Sequence, residues 1–238
     1  MGKNTKTAGC YILHDENAID NLEAQHFDPV FWQGKPGFER IQGGRGGSVK
    51  ISIVGRAAIL RRYFRGGMIA RWVSDKYLWL GKRSTRPWRE WAMIRHALAA
   101  GLPVPEPIGI FVQRTGIFYR AAIITAFIEN TETLANYLTR NKLDEDSWRR
   151  LGALLHRMHV QCIYHADLNA NNLLIDPQGQ FFIIDFDRAR LMKRLGGWQW
   201  KPLNRLLRSL EKIDRLQGLH YRPGDWQALM AAYRSAEK

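Results

Sequence analysis

His165-Ala166-Asp167-Leu168-Asn169-Ala170-Asn171-Asn172, followed downstream by Asp185-Phe186-Asp187, is the stretch on which the reading of this 238-residue chain turns. Its polar groups divide a recognisable labour. The carboxylate of Asp167 can accept a hydroxyl proton, and the carboxamide of Asn172 can hold a metal. The carboxylate of Asp185 can bridge that metal to nucleotide phosphates. Leu173–Ile175 and Phe181–Asp185 read as a strand pair around Asp176-Pro177-Gln178-Gly179, which carries the second carboxylate back towards the first. A single Asp or Asn in a loop is more simply a turn former. His165, Asp167, Asn172 and Asp185 in register are harder to explain that way, and they point to phosphoryl transfer, which needs positioning and charge stabilisation rather than many groups. His165 reads as a packing and hydrogen-bonding support, not as a proton carrier.

The order H-x-D-x-x-x-x-N…D-F-x is that of the protein-kinase catalytic and magnesium loops. Two upstream features occupy the places such a layout requires. Gly43-Gly44-Arg45-Gly46-Gly47 lies between strand-like segments, and Gly43, Gly44 and Gly46 are candidates for a loop whose amides approach nucleotide phosphates. Alone, a flexible hairpin tip would look the same. Ala58-Ile59-Leu60-Arg61 stands where a kinase strand carries its phosphate-binding lysine, so Arg61 is the candidate clamp, although arginine is not equivalent to lysine. Its expected partner is Glu90, the one carboxylate between Asp75 and Glu106.

Composition sets the remaining bounds. Thirty-six Lys+Arg against 22 Asp+Glu give a formal net charge of +14, which implies an anionic partner. The excess concentrates between Arg61 and Arg95, with Trp72, Tyr77, Trp79, Trp88 and Trp91 interleaved. Stacking platforms for nucleic acid and an interfacial contact with anionic lipid both fit this mixture. For the Trp72–Lys82 connection the lipid contact is preferred. Trp88 and Trp91 are assigned to the apolar stripe of a helix. Cys10 and Cys162 are far apart and on no metal-ligand spacing, which favours a reducing compartment. Ala8-Gly9-Cys10 looks like the end of a lipoprotein signal, but no apolar run precedes it. No segment has the ~18 apolar residues that would span a bilayer, so the chain is expected to stay on the side where it is made.

Along the chain, residues 1–40 are weakly patterned and are expected to form an N-terminal extension with some strand near its end. Phe38–Phe64 reads as β, with Val49–Val54 and Ala57–Leu60 as strands. A helix is expected over Arg86–Ala100, ended by Gly101. Strands follow at Ile108–Val112 and Phe118–Phe127 around an Arg114-Thr115-Gly116 turn. Helices are expected at Glu132–Arg140, at Glu145–Val160 capped by Asp144, and over most of Trp198–Ser235. The expected architecture is therefore α+β and two-lobed, protein-kinase-like: residues 1–128 as extension and β-rich nucleotide-binding lobe with one helix, 129–238 as a mainly helical catalytic lobe. Nothing resembling A-P-E follows Asp187, and there is no room for a long activation segment before Trp198. That argues for a small or lipid-linked alcohol rather than a protein acceptor.

Several segments together resemble the Kdo (3-deoxy-D-manno-octulosonic acid) kinases of the lipopolysaccharide-core kinase family, within the protein-kinase-like superfamily. They are Leu60–Gly67, Ser84–Glu90, Gly101–Pro105, His165–Leu174, Ile184–Arg188 and Leu203-Asn204-Arg205-Leu206. The resemblance implies ATP and Mg2+ as cofactors and transfer of the γ-phosphate to the 4-hydroxyl of a Kdo residue on a lipid A precursor. It implies peripheral work at the cytoplasmic face of the inner membrane, on an anionic surface and without nucleic acid; it leaves the oligomeric state open. It assigns Asp167 as catalytic base, Asn172 and Asp185 as metal ligands and Glu90 as the helix acid. Asp187 stands where protein kinases have glycine, and either a metal contact or a hold on Arg188 would suit it. Rio-type and aminoglycoside-type kinases share the catalytic loop, and an inactive basic nucleic-acid-binding module is the alternative outside enzymes.

Overall fold

The computed structural model describes residues 2–7, 9–16, 19, 21–41, 48–63 and 77–235. They divide into two compact units, Met1–Ala92 with Pro105–Glu129 and Met93–Val104 with Asn130–Lys238. The elements of the first are β1 (Gly2–Thr7), β2 (Cys10–Asp15), a single helical turn α1 (Pro29–Trp32), β3 (Glu39–Arg40), β4 (Ser48–Ile53), β5 (Arg56–Arg62) and β6 (Tyr77–Leu78). Helix α2 (Arg86–Ala99) begins in this unit, which β7 (Pro107–Thr115) and β8 (Phe118–Ala126) complete. The strands form one antiparallel sheet in the order β1-β2-β7-β8-β5-β4-β3. β6 pairs with Phe118 and Tyr119 of β8, beyond the Ala122–Ala126 stretch taken by β5.

β4 shows strict alternation, with Val49, Ile51 and Ile53 buried, because one of its faces lies on the core. β8 instead buries Ala121, Ala122, Ile123 and Ile124 consecutively, the mark of a strand covered on both faces. The β4–β5 hairpin closes through Val54 and Gly55, both at positive φ (49° and 73°), as a type I′ turn demands. The β7–β8 turn falls one position later than expected, at Gly116-Ile117, with Gly116 at φ 60°.

The N-terminal region departs most from expectation. Within residues 1–40, expected as an extension with strand only near its end, β1 and β2 form a hairpin, and β2 extends the sheet against β7 from Cys10↔Gln113 to His14↔Gly109. Leu22, Phe27 and Trp32 then join Val49, Ile51, Ile108 and Ile124 in one hydrophobic core. Ile12, Leu13 and His14 are all buried, so β2 lacks the period-two pattern by which a strand is recognised. Asp28 caps α1, whose first residue is Pro29, with the Val30 amide donating to Asp28 Oδ1 at 3.0 Å.

The second unit takes in the end of α2 and the turn after it. The Arg157 guanidinium donates to the Gly101 carbonyl (2.6 Å), and the Ile183 amide to that of Pro103 (3.0 Å). Its further elements are β9 (Glu132–Thr133), α3 (Leu134–Arg140), α4 (Glu145–Val160), β10 (Ile163–Tyr164), β11 (Leu173–Ile175), β12 (Phe181–Ile183), β13 (Arg190–Leu191), α5 (Trp200–Gln217) and α6 (Pro223–Ser235). Asp144 caps α4 as expected, accepting from the Ser147 amide at 2.7 Å. Trp148, Leu151, Leu155 and Met158 are fully buried along one face. Glu132 and Thr133, expected in a helix, pair instead with Ile175 and Leu174 of β11, and the helix begins only at Leu134. The C-terminal region is two helices, separated where Gly218 adopts the left-handed conformation (φ 66°) that ends α5.

Only Arg188–Gln199 separates Asp187 from α5, so the activation segment is minimal, as expected. Among the described residues no helix is long and apolar enough to cross a membrane. α4 and α6 approach closely at Gly152, where a Cβ would lie 2.1 Å from the Leu229 carbonyl oxygen. Gly152→Ala should therefore push α6 off α4 and cost about 1–3 kcal/mol in urea unfolding, against near-neutrality for Gly224→Ala, which meets open space.

Candidate active site

Two groups of candidate residues form, one in each unit. In the first, β5 alternates Ala58 and Leu60 into the core and places Arg61 on its other face, with Tyr63 just beyond the strand's end. Arg61 Nη2 lies 2.5 Å and 2.6 Å from the two carboxylate oxygens of Glu90, which is 2% exposed on α2. The expected ion pair is present. Tyr63, absent from the sequence reading, donates its hydroxyl to Glu90 Oε2, and its phenol is held well above its ordinary pKa by burial and then by the Glu90 charge. The guanidinium carbons of Arg61 and Arg86 lie 5.0 Å and 5.2 Å from its ring centroid. Its position two residues after Arg61 in an extended segment was the available signal. Gly43, Gly44 and Gly46 lie outside the described residues, as do residues 72–76 of the Trp72–Lys82 connection. In the rest of that connection, Trp79 is stacked on Tyr11 at 5.5 Å with Arg114 over it at 5.3 Å. Of the two tryptophans assigned to the stripe of α2, Trp91 is buried and Trp88 is half-buried beneath Lys82.

In the second unit the catalytic stretch is held by its own amides. Asn172 Nδ2 donates to the Asp167 carbonyl at 2.9 Å, and Asn169 Nδ2 donates to the same oxygen at 2.8 Å. Asn169 also caps the short helical turn Ala170–Asn172 through the Asn171 amide at 2.9 Å. The β11–β12 register sets Leu173 opposite Ile183, and one step further the Ile184 amide donates to the Asn172 carbonyl at 3.0 Å. Asp185 follows immediately, in the left-handed region at φ 64°, a conformation that aspartate tolerates better than most residues. His165 is buried and lowered in pKa by that burial; its Nε2 donates to the Ile184 carbonyl at 3.0 Å. Its ring meets Phe186 edge-on at 5.1 Å. It supports the hairpin end and is not placed to carry protons.

This lattice brings Asp167, Asn172 and Asp185 into one loop system. Because Asn172 Nδ2 is committed to the Asp167 carbonyl, its oxygen is the end left to accept a cation. Among the described residues no group of three or more His, Cys, Asp or Glu side chains is placed to hold a metal alone. One amide and one carboxylate oxygen nonetheless suit magnesium, which keeps waters and takes phosphate oxygens.

α5 adds two groups that the sequence reading gave no role. Arg205 Nη2 donates to Asp167 Oδ1, and Ser209, one turn on, accepts from the Ala170 amide at 3.2 Å. Thirty-eight residues separate Arg205 from Asp167, and no local pattern signals such a pair.

The model of the lipopolysaccharide kinase (Kdo/WaaP) family matches residues 33–233. The chain belongs to that family. It is 39% identical over 224 residues to the 3-deoxy-D-manno-octulosonic acid kinase of Xylella fastidiosa (strain M12), covering 93% of this chain and 88% of the relative. It is 32% identical to the enzyme of the same name from Vibrio vulnificus (strain YJ016), covering 95% of each. Among solved structures, WaaP in complex with acyl carrier protein superposes with a TM-score of 0.60 at 16% identity, covering 87% of this chain and 80% of that one. The fold is thus kinase-like, and the family's activity is ATP-dependent phosphoryl transfer to a hydroxyl. Rio-type and aminoglycoside-type kinases, and an inactive nucleic-acid module, are not favoured by these matches.

Glu90 is a buried carboxylate held by Arg61 and Tyr63, so removing it strands a guanidinium and a hydroxyl. Glu90→Ala should cost about 3 kcal/mol in urea unfolding, and Tyr63→Phe about 1.5 kcal/mol for one charge-assisted hydrogen bond. Equal losses would show that the bond to the Tyr63 hydroxyl, and not the pairing with Arg61, accounts for what Glu90 contributes.

Proposed function

We propose that this member of the family transfers the γ-phosphoryl group of ATP to the 4-hydroxyl of a Kdo residue on a lipid A precursor, in lipopolysaccharide core synthesis at the cytoplasmic face of the inner membrane. The observation that carries the reading is the loop in which Asn172 ties the Asp167 backbone to the strand end bearing Asp185. It occurs in a chain 31–39% identical to enzymes named Kdo kinase. Asp167 takes the proton of the acceptor hydroxyl as its oxygen forms the new P–O bond, and the bond from γ-phosphorus to the bridging oxygen breaks to leave ADP. Asn172 and Asp185 would hold magnesium, which neutralises charge on the β- and γ-phosphates. Arg61, oriented by Glu90 and Tyr63, is assigned to nucleotide phosphate, as are the amides of Gly43, Gly44 and Gly46. Nucleic acid has no part in this reading.

Radiolabelled transfer from Mg-ATP to a Kdo-lipid acceptor, set beside a protein and an aminoglycoside, tests the substrate class. Label should enter the Kdo-lipid alone, and chelation of magnesium should stop it. Asp167→Ala should lower kcat by about 10³-fold, the scale of a lost general base, with ATP affinity and unfolding midpoint nearly intact. A variant of full activity would remove Asp167 from the mechanism.

The membrane part of the proposal rests on charge. Association with anionic liposomes should weaken steeply as salt rises from 50 to 500 mM, across which the Debye length falls from roughly 14 to 4 Å. Binding indifferent to ionic strength would leave the +14 charge without this role.

A further inference from the structure

Arg205 is one member of a longer row. Lys201, Arg205, Arg208, Lys212 and Arg215 follow one another on α5 at steps of four, three, four and three residues, and all five are exposed. Those steps keep side chains on one helical face, here opposite the face that buries Leu203, Leu206 and Leu210. Fourteen residues of α-helix extend the row over about 21 Å. Like charges three and four residues apart repel, and the customary remedy is an interleaved acid. One acid, Glu211, stands at such steps from Arg208 and Arg215, yet among the described residues it forms an ion pair with neither. Glu211 and Asp214 lie near enough to Tyr221 for their charges, after burial, to raise its hydroxyl pKa. Asp214 Oδ1 also accepts from the Leu219 amide at 2.8 Å. Among the described residues Lys201, Arg208, Lys212 and Arg215 have no carboxylate partner, while Arg205 has one, the candidate base Asp167.

A row of like charges that weakens its own helix, and whose one partnered member holds the catalytic carboxylate, makes sense as a binding surface. We infer that this face of α5 docks the anionic groups of the lipid acceptor, its phosphates lying along Arg208, Lys212 and Arg215, while an anionic group beside the acceptor hydroxyl takes Arg205 over from Asp167. The inference deepens the proposed function and rests on its acceptor class. The occupant's chemistry follows from the row itself: guanidinium and ammonium groups spread over about 21 Å suit several phosphate or carboxylate groups on one ligand better than a single ion.

The test uses the full chain and three proteins: wild type, R208E/K212E/R215E and R208Q/K212Q/R215Q. KM is measured for a Kdo-lipid A precursor in neutral detergent micelles, and for the same acceptor after enzymatic removal of its lipid phosphates. The charge-reversed variant should raise KM for the intact acceptor at least about tenfold, and the neutral variant by less. KM for ATP should stay within about twofold. On the stripped acceptor the three proteins should converge. Relief of repulsion should leave unfolding midpoints equal or higher, and the neutral variant keeps the test open if the reversed one misfolds. An unchanged KM for the intact acceptor overturns the inference, as does an equal loss on the stripped one. Loss of binding to phosphatidylglycerol vesicles with unchanged micellar KM also overturns it and makes the row a bulk-membrane contact. Loss confined to acyl carrier protein, the partner in the solved WaaP structure, would reassign the row to a protein. If wild type transfers no phosphate to Kdo-lipid, the proposed function fails by itself. Micelle binding without ATP then still decides the docking row, which stands if wild type binds the intact acceptor more tightly than the reversed variant and falls if the two bind alike.

Discussion

The carboxamide of Asn172 is the constraint on which the catalytic unit depends. Its Nδ2 holds the Asp167 carbonyl, while the backbone carbonyl of Asn172 receives the Ile184 amide. A loop eighteen residues long in sequence is thereby reduced to a few bonds between its working ends. The carboxylates at 167 and 185 could otherwise drift with the β11–β12 turn; here each is one peptide from a hydrogen-bonded anchor. The left-handed backbone at Asp185 is the consequence. The strand must stop pairing after Ile184 and turn its next side chain elsewhere, and His165 secures that point through the Ile184 carbonyl. A residue read as a metal ligand is therefore also the tie of its own site, so its removal would alter geometry as well as coordination.

Glu90 does comparable work in the sheet-bearing unit by a different route. A carboxylate that is 2% exposed is tolerable only with its charge answered, and Arg61 and Tyr63 answer it from one end of β5. The arrangement explains how arginine can occupy a position where lysine is usual. A planar guanidinium meets both Glu90 oxygens through one nitrogen, whereas an ammonium concentrates its donors at a single point. The burial also fixes the angle at which Arg61 leaves the strand, since Tyr63 lies beneath its guanidinium.

What was legible beforehand follows from the range of the interactions. The β4–β5 hairpin, α2 with its stop at Gly101, the cap of α4 by Asp144 and the β11–β12 pair all rest on local signals, and all are present. The ion pair of Arg61 with Glu90 was readable because only one acid stood in the right interval. The β1–β2 hairpin was not, since β2 is buried on both faces and loses its alternation, and its pairing with β7 spans about a hundred residues. Glu132 and Thr133 have the makings of a helix start, yet strand β11 captures them, a tertiary contact overriding local propensity. Arg205 belongs to the same class: its motif was visible, but its partner was not.

That last pair changes how the charge of the chain is understood. An excess of fourteen positive charges invites a diffuse explanation, attraction to any anionic surface. The row on α5 is not diffuse. It occupies a single face, and its one member with a carboxylate partner among the described residues, Arg205, holds Asp167. The Arg205 guanidinium occupies an oxygen of Asp167. A neutral alcohol offers Arg205 nothing in exchange for Asp167, and an acceptor with an anionic group beside its hydroxyl does. Selectivity among hydroxyl compounds can then arise at Asp167 itself, from its contact with Arg205, without a pocket shaped around the whole acceptor.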